Sequence, residues 1–103
     1  MPKYDLKLVN HKEVKNDVFH AKYWYKTQLD GLEKRFANEV KKTITCITQN
    51  PFLFQVKYKN TRTVYTEVFP YGVHYHINED TKTITILGVF HTSLSPDKWQ
   101  SRL

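Results

Sequence analysis

At 103 residues, with 40% hydrophobic and 15% aromatic residues and only 3 Gly and 4 Pro, the chain has the composition of one packed globular domain, residues 1–103, which excludes a disordered tail. Sixteen Lys plus Arg against ten Asp plus Glu give a formal net charge of +6, a balance that draws nucleic acid, a ribosome surface or an acidic protein. The single Cys46 excludes an internal disulfide and a multi-cysteine zinc cluster; with no leader signal and no apolar run near membrane-spanning length, a cytoplasmic location is expected.

The opening "KYDLKLV" alternates, with Tyr4, Leu6 and Leu8 on one face, and predicts a strand. Asn10 stands three residues before Glu13, the spacing of a capping box, and starts a helix whose apolar stripe is Val14, Val18, Ala21, Tyr25 and Leu29. Asp30 and Glu33 repeat that spacing, and Gly31 permits a tight turn into a second stripe of Leu32, Phe36, Val40, Ile44 and Ile47. Cys46 lies beside this stripe and is expected to be a buried structural thiol. Asn50-Pro51 stops the second helix, and the short connection predicts an antiparallel hairpin.

After Pro51 the period changes to two. "FQVKYKN", "RTVYTEVF", "YGVHYHI" and "KTITILGVF" are four strand-like runs, separated by Asn60-Thr61, by Pro70 and by "NEDTK". Ser95 as N-cap and Pro96 at the first helical position predict a short helix through Trp99. The expected fold is α+β: an N-terminal strand, an antiparallel two-helix hairpin on one face of a mainly antiparallel sheet, and a short C-terminal helix.

His74 and His76 lie two apart on a strand and share a face, and His91 ends the next strand. Three such imidazoles suit a transition metal or, with a cation, acid–base cleavage of RNA. No carboxylate stands at a fixed spacing to support a metal, so the residues predict neither metal nor cofactor. The cation for RNA cleavage would be Arg62, the only arginine of the strand region, with Lys57 and Lys59 on the preceding strand. A polar, solvated sheet face is the simpler account of the same histidines. Tyr23, Trp24 and Tyr25 are consecutive on the first helix; Tyr25 fits the buried stripe, leaving Tyr23 and Trp24 for a rim or a partner surface.

Together, "GLEKRFANEV", "TRTVYTEVFPYGVHYHI" and "TITILGVFHTSLSPDKWQSR" resemble the RelE/ParE superfamily of bacterial toxins from about residue 11 onward. The resemblance implies the toxin of a type II toxin–antitoxin, or plasmid stabilisation, system, held in a hetero-oligomer by a cognate acidic antitoxin. One branch of the superfamily cleaves ribosome-bound mRNA with arginines or lysines on the central strands and near the final turn. In that branch an arginine commonly follows the tyrosine that opens the third strand of the C-terminal half; here Gly72 follows Tyr71. Leu94 stands where many relatives carry a lip arginine, and Trp99 where a tyrosine could act as acid or base. These departures point to the ParE side, whose target is DNA gyrase, with Arg62, His91, Ser93, Leu94, Trp99, Tyr23 and Trp24 as target or partner contacts. The alternatives are a ribosome-dependent mRNA endoribonuclease using His74, His76, His91 and Arg62, and a non-toxic member that only binds an antitoxin.

Overall fold

A computed structural model describes residues 5–58, 60–94 and 102. The element order is β1 (Lys7–Asn10), α1 (Val14–Gln28), α2 (Leu32–Gln49), β2 (Val56–Tyr58), β3 (Thr61–Tyr65), β4 (Tyr71–Asn78) and β5 (Thr83–His91). The five strands form one sheet in the order β1-β5-β4-β3-β2. β2 to β5 pair antiparallel, whereas β1 returns to the edge of β5 in parallel register, Lys7 opposite Thr83 and Asn10 opposite Ile86. Tyr4 and the expected terminal helix at Ser95, Pro96 and Trp99 lie outside the described residues.

The expected stripes carry the helical layer. Val14 and Ala21 of α1 and Phe36, Val40 and Ile47 of α2 are buried, with Val18, Tyr25, Leu32 and Ile44 packed partly against them. Leu29, the last residue of the first stripe, is exposed because α1 has already ended at Gln28. From the sheet, Val73, Tyr75, Ile84, Ile86 and Val89 complete the core. The rings of Tyr25, Phe36, Phe69 and Tyr71 meet at centroid distances of 4.9–6.1 Å, most of them edge-on, which fills the space where both helices meet β4. Tyr75 is fully buried and donates its hydroxyl to the Pro51 carbonyl, fastening the end of the hairpin to the sheet.

The helix starts differ from the sequence expectation. Asn10 belongs to β1, and α1 begins after Glu13 with no side-chain cap on that residue; instead the Glu13 N–H donates to His11 Nδ1 at 3.1 Å. At α2 the cap is Gly31 and not Asp30, with Gly31 at φ +93° and its N–H donating to Glu33 Oε2 at 3.2 Å. Glu33 thus supplies the returning half of a capping box, while the left-handed turn is supplied by glycine. Cys46 is exposed, not buried. It precedes Ile47 by one residue, about 100° around the helix, which takes it off the stripe. No helix among the described residues is long and apolar enough to cross a membrane.

Candidate functional site

Alternation on β4 sends Tyr71, Val73, Tyr75 and Ile77 toward the helices and leaves Gly72, His74 and His76 on the other face. The register aligns partners there: Tyr65 opposite Gly72 and Thr63 opposite His74 on β3, Phe90 opposite Gly72 and Gly88 opposite His74 on β5. Of these, Thr63, Tyr65, Gly72, His74 and Phe90, with Lys57, Tyr58 and the turn after β5, line a cavity of about 390 Å³.

His74 forms the floor of this cavity and is buried, not solvated. Its Nδ1 lies 3.1 Å from Thr63 Oγ1 and 3.3 Å from Tyr58 OH. The Phe90 ring packs beside it at 5.5 Å and the Tyr58 ring at 6.2 Å. Burial lowers the imidazole pKa from 6.5 to about 4, because the charged form cannot be hydrated there. Burial raises the Tyr58 phenol to about 12. At neutral pH the floor of the pocket is therefore an uncharged imidazole beside a protonated phenol.

The sequence expectation grouped His74, His76, His91 and Arg62, and the structure separates them. His76 lies nearer the far end of the sheet, with Nδ1 3.4 Å from the Asn60 carbonyl. His91 pairs with Tyr71 and so has the parity of the helix face; its ring meets the Tyr71 ring edge-on at 5.3 Å. Being the last residue of β5, it nevertheless reaches the cavity rim. Its Nδ1 accepts from the Ser93 N–H at 3.0 Å and lies 2.7 Å from Ser93 Oγ, so the proton of the neutral ring sits on Nε2. Among the described residues no group of three or more His, Cys, Asp or Glu is placed to hold a metal.

Arg62 pairs with Tyr75 and so faces away from His74. Its guanidinium donates to the carbonyls of Phe52 and Phe54 and lies 5.5 Å from the Phe52 ring centroid, which ties the entry to β2. Arg62 and His74, which the ribonuclease alternative groups together, thus stand on opposite faces of the sheet. Lys57 is the only cation among the described residues lining the cavity.

At the lip, the Leu94 N–H donates to the His91 carbonyl, and its side chain is exposed between two cavities. The second, of about 380 Å³, runs along α1 past Asp17, His20 and Trp24 to Tyr71 and Phe90. Tyr23 and Trp24 are exposed, and Phe19 extends their aromatic surface one turn back. Trp99 lies outside the described residues. Sequence reasoning did not single out Tyr58, Thr63, Tyr65 and Phe90 as parts of the site. Period two on "YKNTRTVY" carried the signal for Thr63 and Tyr65, but which strand they oppose was settled only by the register.

Gly72 shows how the pocket closes over the middle of the sheet face. A Cβ at this position would stand 3.1 Å from Thr63 Cγ2 and 3.3 Å from the Tyr65 ring, so Tyr65 lies over the glycine backbone in place of a side chain.

The family described as ParE toxin of type II toxin-antitoxin system, parDE, matches residues 8–95. No curated protein matches the chain. Among solved structures, the chromosomal ParDE toxin–antitoxin system from P. aeruginosa is similar in fold, with a TM-score of 0.74 and 13% identity over 84% of this chain and 95% of that one. The RelBE2 toxin–antitoxin complex from Mycobacterium tuberculosis is similar with a TM-score of 0.57 and 14% identity over 84% of this chain and 96% of that one.

Proposed function

Because the chain belongs to the ParE toxin family of type II toxin–antitoxin systems, we propose that it inhibits growth by binding DNA gyrase and is neutralised by a cognate acidic antitoxin. The observation that carries this reading is the make-up of the sheet-face cavity: no arginine among its described lining residues, Arg62 turned to the opposite face, and His74 uncharged at neutral pH. Cleavage of a phosphodiester needs cations where charge develops and an acid–base group that titrates near neutrality. A cavity with one lysine, a buried imidazole and a phenol near 12 suits the binding of a protein segment better than that chemistry.

An antitoxin partner is supported by two features of the surface. The chain carries +6, and α1 adds an exposed aromatic row of Phe19, Tyr23 and Trp24 beside the second groove. Aromatic rows beside lysines are suited to an acidic, partly apolar segment. The two solved structures described above are toxin–antitoxin assemblies, which agrees with this partner.

One observation favours the ribonuclease reading. His91, at the exposed rim, has Nδ1 fixed by Ser93, the arrangement that would orient Nε2 as an acid or base. A reconstituted translation reaction with primer extension across the mRNA separates the two readings. Intact mRNA at toxin concentrations that arrest growth is the expected result. Cleavage in the ribosomal A site that disappears in His91→Ala would replace gyrase binding with ribosome-dependent cleavage.

A further inference from the structure

The outer edge of β5 is covered by β1 only as far as Ile86, the partner of Asn10. The His11 N–H donates to the Ile86 carbonyl, and the chain then turns into α1. At that point β5 carries an extra residue, Leu87, because Tyr75 pairs with Ile86 while His74 pairs with Gly88. The Leu87 carbonyl and the Val89 N–H are met by side chains. Arg102 Nη1 donates to the Leu87 carbonyl at 3.0 Å, and the Val89 N–H donates to Asp17 Oδ2 at 3.2 Å.

These two side chains also bind each other. Arg102 donates from Nη1 to Asp17 Oδ2 at 2.7 Å and from Nη2 to Oδ1 at 3.1 Å, in a forked pair whose side chains are 16% and 12% exposed. The guanidinium carbon lies over the Phe90 ring, 4.7 Å from its centroid. The same ring folds back over Gly88, where an added Cβ would collide with it, and it packs beside His74 with the ring centroids 5.5 Å apart. A buried ion pair is by itself weak support for stability, and its geometry is where its effect lies.

We infer that Asp17 and Arg102 are positioning residues of the sheet-face cavity: bonded to each other across the β5 bulge, they hold the Phe90 ring against His74 and fix the wall of a pocket that neither of them lines. The inference concerns the pocket on which the proposed function rests, yet it stands on the fold and not on the target. Lysine in place of Arg102 would keep a positive charge opposite Asp17 but lose both the fork and the guanidinium over Phe90. Asparagine in place of Asp17 would keep an acceptor for Val89 and lose the charge that orients the guanidinium.

The experiment is ring NMR on the full chain, free of any target, so its outcome is separate from that of the gyrase assay. It follows ring-to-ring cross-peaks between Phe90 and His74 and the titration of the His74 imidazole, whose titratable and charged neighbours among the described residues include Tyr58, Tyr65, Lys57 and His91 along the same cavity and Arg102 over the Phe90 ring. In the unaltered chain His74 stays neutral down to about pH 4. In Arg102→Lys and Asp17→Asn, with the amide spectrum still folded, the cross-peaks weaken and the His74 midpoint climbs by about one pH unit or more as water reaches the ring. Cross-peaks between the Tyr25 and Phe36 rings, on the helix side of the sheet, stay unchanged as the internal control. Unchanged cross-peaks and an unchanged His74 midpoint in either folded variant overturn the inference. Loss of folding in both variants overturns it too, because the pair would then serve stability alone.

Discussion

Burial of the His74 imidazole gives the fold a pH dependence of definite sign. The unfolded chain takes up a proton near pH 6.5 and the folded chain only near about 4. The contribution is therefore complete above 6.5 and is lost as the pH falls from 6.5 to about 4, on the order of 3 kcal/mol for a shift of this size. Urea unfolding at pH 7, 5.5 and 4.5 measures it, and His74→Gln should flatten the decline; equal slopes for the two proteins would place the pH dependence elsewhere. At the lip, Leu94→Arg adds a guanidinium between two cavities on an exposed side chain. Charge-assisted bonds are worth roughly 1.5–3 kcal/mol each, so growth inhibition without antitoxin should rise by about one to two decades in potency. Colony survival at matched soluble expression reports it, and unchanged survival means the lip does not limit activity. Gly72→Arg should do less, because Tyr65 must first leave the glycine backbone. Period two in the sequence already assigned a common face to His74 and His76. It could not assign Arg62, whose face depends on pairing with Tyr75 through the turn over residues 66–70.

The helices were legible in the sequence because their stripes are long and repeat every three to four residues; their starts were not. A capping box is a local signal, whereas Asn10 is claimed by a parallel partner, Ile86, 76 positions along the chain. Asn10→Ala should therefore change stability by less than about 0.5 kcal/mol, where loss of a true cap costs about 1. A loss at the larger value in thermal or urea unfolding would restore Asn10 as the cap. Phe36 is the opposite case, fully buried among Tyr25, Phe69 and Tyr71. Phe36→Ala should cost about 3–5 kcal/mol, and an unfolding midpoint close to that of the unaltered chain would contradict the packing described for the hairpin. The bulge at Leu87 was beyond sequence reading. "TITILGVF" contains a glycine that hints at a bend, but Asp17 and Arg102, which satisfy the bulge, lie 85 positions apart.

At the scale of the whole molecule, one face of the sheet is sealed by helices and the other opens into a cavity with few charges, in a chain of +6. An acidic antitoxin that folds onto such a surface should bury more than ~1,000 Å² and give a large negative heat-capacity change on binding. Calorimetry of the purified pair at several temperatures measures this, and a heat-capacity change near zero would speak against coupled folding. DNA supercoiling distinguishes binding to gyrase from cleavage of mRNA. Purified gyrase with relaxed plasmid and ATP is titrated with the protein. Supercoiling should fall in proportion to the added protein and return when the antitoxin is supplied; full supercoiling at a large excess of folded protein would rule out gyrase as the target.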